Sequence, residues 1–213
     1  MTSEKRVALI TGASSGIGKA AAMAFVRAGF VTYATARRPE TLAALEAAGC
    51  HALPLDVTDE ASMVAAVRAV EDAHGAVDIL VNNAGYGLNG PLEELPMDDV
   101  RRQFETNVFG LLRMSQLVLP GMRQHGGGRI INVGSMGGEF TTPGAGAYHA
   151  SKYAVESLSD ALRVEVRPFG VQVALVQPTG VHTAFGGKVV ETLPQTGSDS
   201  PTPRRMSRPV SLH

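Results

Sequence analysis

Tyr148 and Lys152 stand four positions apart in Tyr148-His149-Ala150-Ser151-Lys152, a spacing that brings both side chains to one face of a helix. A phenol with a pKa of about 10 is a poor acid–base group at neutral pH. An ammonium beside it favours the phenolate and draws the phenol towards the working range. The bland alternative is an exposed Tyr/Lys pair on a helix surface. Ser135, in Asn132-Val133-Gly134-Ser135, would offer a hydroxyl to a substrate carbonyl, although a serine beside glycine is also a common loop residue. It is not the nucleophile of a hydrolase elbow, since Val133 stands where G-x-S-x-G requires glycine. The histidines at 51, 74, 125, 149, 182 and 213 have no metal-ligand spacing, and with one cysteine in the chain no metal site is expected. His149 is expected at the rim of a site or on the surface.

A second group lies near the start. Thr11-Gly12-Ala13-Ser14-Ser15-Gly16-Ile17-Gly18 joins a short apolar run to an alanine-rich helical stretch. Backbone N–H groups at a helix N-terminus attract anions, and glycine admits a pyrophosphate without a Cβ clash. The spacing is G-x-x-x-G-x-G, and a tight strand-to-helix connection with no ligand is the competing reading. About twenty residues on, dinucleotide sites select their cofactor: an acid receives a ribose 2′-hydroxyl, an arginine a 2′-phosphate. Here Ala36-Arg37-Arg38 offers two guanidinium groups and no acid, which favours NADP over NAD, with a solvated basic turn as the alternative.

These residues need a frame. Apolar runs predict strands at 7–10, 31–36, 51–55, 77–81, 129–134 and 171–177, and the stretches between them predict helices at 16–28, 39–48, 59–74, 98–124 and 147–167. Asn82-Asn83-Ala84-Gly85 is expected to break the fourth strand. Strands that are continuously apolar and alternate with helices predict an α/β fold: a doubly wound, Rossmann-like parallel sheet of six strands with helices on both faces. Residues 1–185 form one dinucleotide-binding catalytic domain in this reading. Residues 186–213, which lack aromatics and turn Arg/Pro/Ser-rich, are expected to be a disordered tail.

Composition narrows the class of function. The chain has 213 residues, 44% of them hydrophobic and 18% charged, with a formal charge of −1. This balance gives no general attraction to nucleic acid or an anionic membrane. Twenty-four glycines, in clusters, point to loops where backbone comes close to another group. Cys50 stands alone, so no internal disulfide forms and a reducing compartment is the natural setting. The apolar run near the N-terminus is too short for a signal peptide or a membrane span, so a soluble cytoplasmic protein is expected.

Taken in order, Thr11-Gly12-x-x-x-Gly16-x-Gly18, Asp56-Val57, Asn82-Asn83-Ala84-Gly85, Asn107, Ser135 and Tyr148-x-x-x-Lys152 resemble the short-chain dehydrogenase/reductase family over about residues 5–185. The resemblance implies that Gly12, Ser14, Ser15, Gly16, Ile17 and Gly18 hold the cofactor, with Arg37 and Arg38 at its 2′-phosphate. It implies that Asp56 meets the adenine amino group beside the Val57 backbone, and that Asn83 sits at the adenosine ribose, with Ala84 and Gly85 lining the cleft. Asn107 would shape the long helix and hold a water in a proton relay. Ser135 would orient the carbonyl, Tyr148 pass the proton, and Lys152 bind the nicotinamide ribose while acidifying the phenol. Pro178, Val181 and Thr183 would cover the nicotinamide and pyrophosphate. Thr179 departs from the family's usual glycine, and the family's seventh strand and substrate-covering segment have no counterpart, as expected of a coding sequence truncated or shifted in frame near residue 200.

The leading expectation is an NADP(H)-dependent carbonyl reductase or alcohol dehydrogenase acting on a small-molecule ketone or secondary alcohol. Val31-Thr32-Tyr33-Ala34-Thr35-Ala36-Arg37 resembles the steroid- and retinol-type branch and implies a hydrophobic substrate. A homodimer built through the helices at 98–124 and 147–167 is implied as well. The alternative is a non-catalytic dinucleotide-binding remnant. An extended-type sugar-nucleotide epimerase fits less well, because the chain is short and the first loop has the wrong glycine spacing.

Overall fold

The computed structural model describes residues 6–179. Val7–Ile10 (β1) is buried at all four positions, as a strand held between two helical layers must be. Gly16–Arg27 (α1) and Val31–Ala36 (β2) follow. The single helix predicted over 39–48 does not form. Pro39–Leu42 winds as a 3-10 turn, and only Ala43–Glu46 (α2) is α-helical before the chain reaches His51–Pro54 (β3). One turn of α-helix fixes too few hydrogen bonds to extend itself, so packing of Leu42 and Leu45, not propensity, holds this segment.

Glu60–His74 (α3) starts at Asp59, whose carboxylate accepts from the Ser62 N–H at 3.1 Å. Ile79–Asn82 (β4) ends one residue later than predicted. Asn82 does not break the strand, because it lies opposite Asn132 in register and its amide donates to Asn132 Oδ1 and Ser115 Oγ, both at 3.0 Å. These bonds satisfy the amide nitrogen, while the buried Oδ1 has no hydrogen-bond partner among the described residues. The long helix predicted over 98–124 is present in three pieces: Met97–Phe104 (α4), a π turn at Glu105–Phe109, and Gly110–Gln124 (α5). Gly128–Val133 (β5), Gly146–Val166 (α6) and Val171–Val176 (β6) complete the described chain.

All six strands are parallel, in the order β3-β2-β1-β4-β5-β6. The order reverses between β1 and β4, which opens a crevice at the carboxyl ends of the strands, where open α/β sheets take ligands. One face packs on α3, α5 and α6 through residues such as Leu9, Val67, Leu80, Met114 and Ile130. The other packs on α1 and α2 through Ile10, Ala22, Ala34, Leu45 and Val81. Coverage of this second face is uneven. Along β6, Gln172, Ala174 and Val176 are exposed, so at this strand the second face has little helical cover among the described residues. Val181, Thr183 and the expected tail at 186–213 lie outside the described residues.

Candidate active site

Parallel strands deliver their following loops to one edge, and the residues singled out by the sequence gather there. After β1, the Thr11 hydroxyl accepts from the backbone N–H groups of Asn83 and Ala84, both at 3.0 Å, and ties the glycine turn to the loop after β4. The Asn83 amide donates to the Thr11 and Gly12 carbonyls, each at 3.0 Å. This side chain therefore braces the cradle, with its amide N–H groups committed to the Thr11 and Gly12 carbonyls. Gly12 and Gly18 serve the same closure. A Cβ on Gly12 would fall 2.8 Å from Ala84 Cα, and one on Gly18 would fall 2.4 Å from Asn83 Nδ2.

The third glycine works differently. Gly16 sits at φ +56°, in the left-handed region, at the first residue of α1. Ser15 precedes it with no side-chain cap, so the first turn's N–H groups are left for an outside acceptor. Ser14 is exposed, and Ile17 is half-buried. The donor set and the positive helix end fit a dinucleotide pyrophosphate. Arg37 and Arg38, beyond β2, are exposed, and neither enters an ion pair among the described residues. Burial pushes the Tyr86 phenol up, while Arg102 and, more weakly, Arg37 act to lower it. These residues fit a phosphate-bearing ribose.

Asp56 follows β3 half-buried, with its Oδ1 accepting from the Thr58 N–H at 3.0 Å and the Thr58 hydroxyl at 2.8 Å. Val57 is buried, and its carbonyl lies 2.5 Å from where a Cβ on Gly110 would stand, so α5 starts hard against this loop. Ala84 and Gly85 are in place after β4, Gly85 exposed towards the crevice. Pro178 follows β6, and its carbonyl accepts from the Met136 N–H at 3.3 Å, which holds it beside Ser135.

Ser135, Tyr148 and Lys152 come from the turn after β5 and from α6. Ser135 and Tyr148 share a side-chain hydrogen bond. Burial raises the Tyr148 phenol above its usual range, and the Ser135 bond works against that rise. The Lys152 ammonium donates to the Val133 carbonyl at 2.9 Å and lies 5.9 Å from the Tyr148 ring centroid. Lys152 is 7% exposed, and its pKa is lowered to about 8 by burial, with Glu156 pulling the other way.

Asn107 lies in the π turn, and π turns favour functional sites. Its amide donates to the Tyr86 carbonyl at 2.9 Å and to Ser151 Oγ at 3.1 Å, and its carbonyl oxygen accepts from the Tyr86 N–H at 3.0 Å. The side chain thus joins the loop after β4 to the residue before Lys152. Sequence reasoning missed two participants. Gln103, fully buried, donates to the same Tyr86 carbonyl at 3.1 Å. His149, expected at a rim or surface, is only 6% exposed and bonds to Gly137 and Thr142. A histidine next to the tyrosine was visible, but its burial depends on the loop that covers it. Among the described residues no three His, Cys, Asp or Glu side chains are placed to hold a metal ion, and no helix is long and apolar enough to cross a membrane.

Fold and site together define a doubly wound α/β domain with Ser135, Tyr148 and Lys152 gathered beside the crevice at the carboxyl ends of its strands. A family model described as short chain dehydrogenase matches residues 6–194. An uncharacterized oxidoreductase, YusZ, of Bacillus subtilis is 45% identical over 189 residues, covering 85% of this chain and 67% of its own length. Human 17-beta-hydroxysteroid dehydrogenase type 1 is 43% identical over 198 residues, covering 87% of this chain and 60% of its own. Among solved structures, 3-ketoacyl-(acyl-carrier-protein) reductase of Brucella melitensis, complexed with NADH, has a TM-score of 0.84 at 31% identity, over 89% of this chain and 81% of that one. A gluconate 5-dehydrogenase of Burkholderia cenocepacia, in complex with NADP and tartrate, has a TM-score of 0.77 at 33% identity, over 82% and 71%. The chain belongs to the short-chain dehydrogenase/reductase family, enzymes that act on CH–OH or C=O groups with a nicotinamide dinucleotide. It spans about two thirds of the length of the curated relatives it matches.

Proposed function

We propose that the protein is an NADP(H)-dependent oxidoreductase that interconverts a ketone and a secondary alcohol, with Tyr148 as the general acid/base. The observation that carries this reading is the hydrogen bond between Ser135 and Tyr148 at the carboxyl edge, with the Lys152 ammonium buried one helical turn on. The nicotinamide, when bound, supplies or accepts the hydride. Ser135 holds the carbonyl oxygen by donating to it, and Tyr148 donates its proton to that oxygen as charge builds there. Lys152 holds positive charge in the same region and would meet the nicotinamide ribose, while Asn107 keeps the loop after β4 and the first turns of α6 in register. Gly12, Gly16 and Gly18 shape the pyrophosphate cradle. Arg37 and Arg38, free of carboxylate partners among the described ion pairs, favour NADP.

An apolar substrate suits the site's surroundings, because Met136 and Phe140, on the loop that follows Ser135, are 39% and 46% exposed. The human relative's name, a hydroxysteroid dehydrogenase, agrees with that class. Phe109, Tyr153 and Val164 are exposed on the π turn and α6, and we assign them to a homodimer interface. We place the protein in the cytoplasm on its lone, buried thiol, Cys50.

The test is turnover. Purified full-length chain with NADPH and a panel of apolar ketones is expected to oxidise NADPH and form the matching alcohols. A chain whose melting midpoint rises with NADPH, yet which reduces no ketone, contradicts the catalytic reading and leaves a dinucleotide-binding remnant.

A further inference from the structure

His149 lies next to the tyrosine that handles the proton, yet its ring points away from solvent and into the turn that carries Ser135. Its Nδ1 is 2.8 Å from the Gly137 carbonyl oxygen, and its Nε2 is 3.2 Å from Thr142 Oγ1. A carbonyl only accepts, so Nδ1 carries the proton; Nε2 of the neutral ring then accepts from the Thr142 hydroxyl. An imidazolium would keep the first bond and donate the second, because a hydroxyl oxygen also accepts. The clamp therefore holds in both protonation states.

The clamped turn is the one that sets the serine. Ser135 Oγ accepts from the Gly137 N–H at 3.0 Å, and Met136–Gly138 winds as a 3-10 turn between them. The ring lies so close that a Cβ on Gly137 would stand 2.8 Å from His149 Nδ1 and 3.4 Å from Ser135 Oγ. Phe140 covers the outer side, with its ring centroid 5.8 Å from that of His149. One residue of α6 thus fixes the Ser135 turn through its side chain and Tyr148 through the covalent chain.

We infer that His149 is a positioning residue: by donating from Nδ1 to Gly137, it locks the Ser135 hydroxyl at hydrogen-bonding distance from the Tyr148 phenol. It touches neither substrate nor cofactor and acts only through the geometry of those two hydroxyls. The inference rests on the proposed acid/base role of Tyr148. It goes beyond that reading by assigning the Ser135–Tyr148 alignment to one donor atom.

Two substitutions separate the donor from the bulk of the ring. The amide nitrogen of His149→Asn falls near the Nδ1 position and still reaches Gly137. That of His149→Gln falls near the Nε2 position and reaches Thr142 instead. The full chain of each is assayed for ketone reduction at saturating NADPH, with NADPH affinity and melting midpoint measured alongside. His149→Asn is expected to retain kcat within about three-fold, and His149→Gln to lose about ten-fold or more, since sub-ångström misplacement of catalytic groups is felt chiefly in kcat. NADPH affinity is expected to stay unchanged in both. Equal kcat in the two variants, whether both are active or both are lost, overturns the inference. If the unsubstituted chain reduces no ketone while still binding NADPH, the acid/base reading itself fails and the inference falls with it, an outcome distinct from active but indistinguishable variants.

Discussion

The Lys152 ammonium donates to the Val133 carbonyl at 2.9 Å, joining the end of the Tyr-to-Lys turn of α6 to the last residue of β5. Two residues beyond Val133 the chain presents Ser135, and four residues before Lys152 it presents Tyr148. One part-buried hydrogen bond therefore spans the two elements that supply Ser135, Tyr148 and Lys152, the three groups of the proposed mechanism. The cost is a charge taken out of water, and it shows as a pKa lowered to about 8.

That value gives the pH dependence a direction. Below about 8 Lys152 is charged, and above it the charge is lost, so kcat/KM for ketone reduction is expected to fall as pH rises through about 8. Glu156 acts to raise the Lys152 pKa. Glu156→Gln keeps an oxygen for the Gln177 amide that donates to it at 3.0 Å but removes the negative charge. Its pH–rate profile is expected to break at a lower pH than that of the unsubstituted chain, and an unmoved break would remove Glu156 from this role.

The same shift bears on stability. A lysine whose folded pKa is depressed binds fewer protons folded than unfolded between about 8 and 10.5, so its burial cost is full below about 8 and fades as pH rises to 10.5. Lys152→Met removes the charge. Its stability relative to the unsubstituted chain is expected to be most favourable near neutral pH and to decline above pH 8, by a total of about 3 kcal/mol. Urea titrations of both proteins at several pH values measure the difference, and a pH-independent gap would mean the ammonium is not buried as described.

Cofactor choice is tested at the loop after β2. Arg37→Ala combined with Arg38→Ala is expected to weaken NADPH by about 10- to 100-fold, the value of one or two charge-assisted hydrogen bonds, and to leave NADH nearly unchanged. Fluorescence titration with each nucleotide reads this directly. Equal losses for both would show that the arginines do not meet a 2′-phosphate.

Gly18→Ala tests the cradle without touching its charges. The added methyl would meet Asn83 Nδ2 at 2.4 Å and the Gly12 carbonyl oxygen at 2.6 Å. Both are fixed by the bonds between Asn83 and the turn, so overpacking of about 1–3 kcal/mol is expected, read as a lower melting midpoint together with weaker nucleotide binding. An unchanged midpoint would mean the turn yields freely.

Much of this was legible because local chemistry and global pattern agree. The β1 run, the glycine turn and the Tyr148–Lys152 spacing each name their own surroundings, and the structure brings Gly12, Gly16, Arg37, Asp56, Asn83, Ser135, Tyr148, Lys152 and Pro178 to one edge of the sheet. The misses have a common cause: partners distant in sequence. Asn82 reads as a strand breaker until Asn132 and Ser115 take up its amide N–H groups. The brace that Asn83 makes to the glycine turn depends on the Thr11 and Gly12 carbonyls, more than seventy residues away. His149 reads as a surface residue until the Ser135 turn folds over it. Where the Lys152 ammonium points depends on the Val133 carbonyl on β5, which the Tyr148–Lys152 spacing does not reveal. The π turn at Glu105–Phe109 leaves no mark in the apolar periodicity, since one inserted residue shifts the helix face without changing its composition.

Hydride delivery to a ketone with Tyr148 supplying the proton is the central claim, and a single-turnover isotope experiment tests it most directly. The full chain is mixed with an apolar ketone and NADPH bearing deuterium at the transferable position of the nicotinamide, and the product is analysed by mass spectrometry, with Tyr148→Phe in parallel. The account predicts a secondary alcohol carrying one deuterium on its carbinol carbon, formed by the unsubstituted chain. It predicts product at a rate lower by about 100-fold or more for Tyr148→Phe, which still binds NADPH with nearly unchanged affinity. Deuterated alcohol formed equally fast by both proteins, or by neither while NADPH binds, would contradict it.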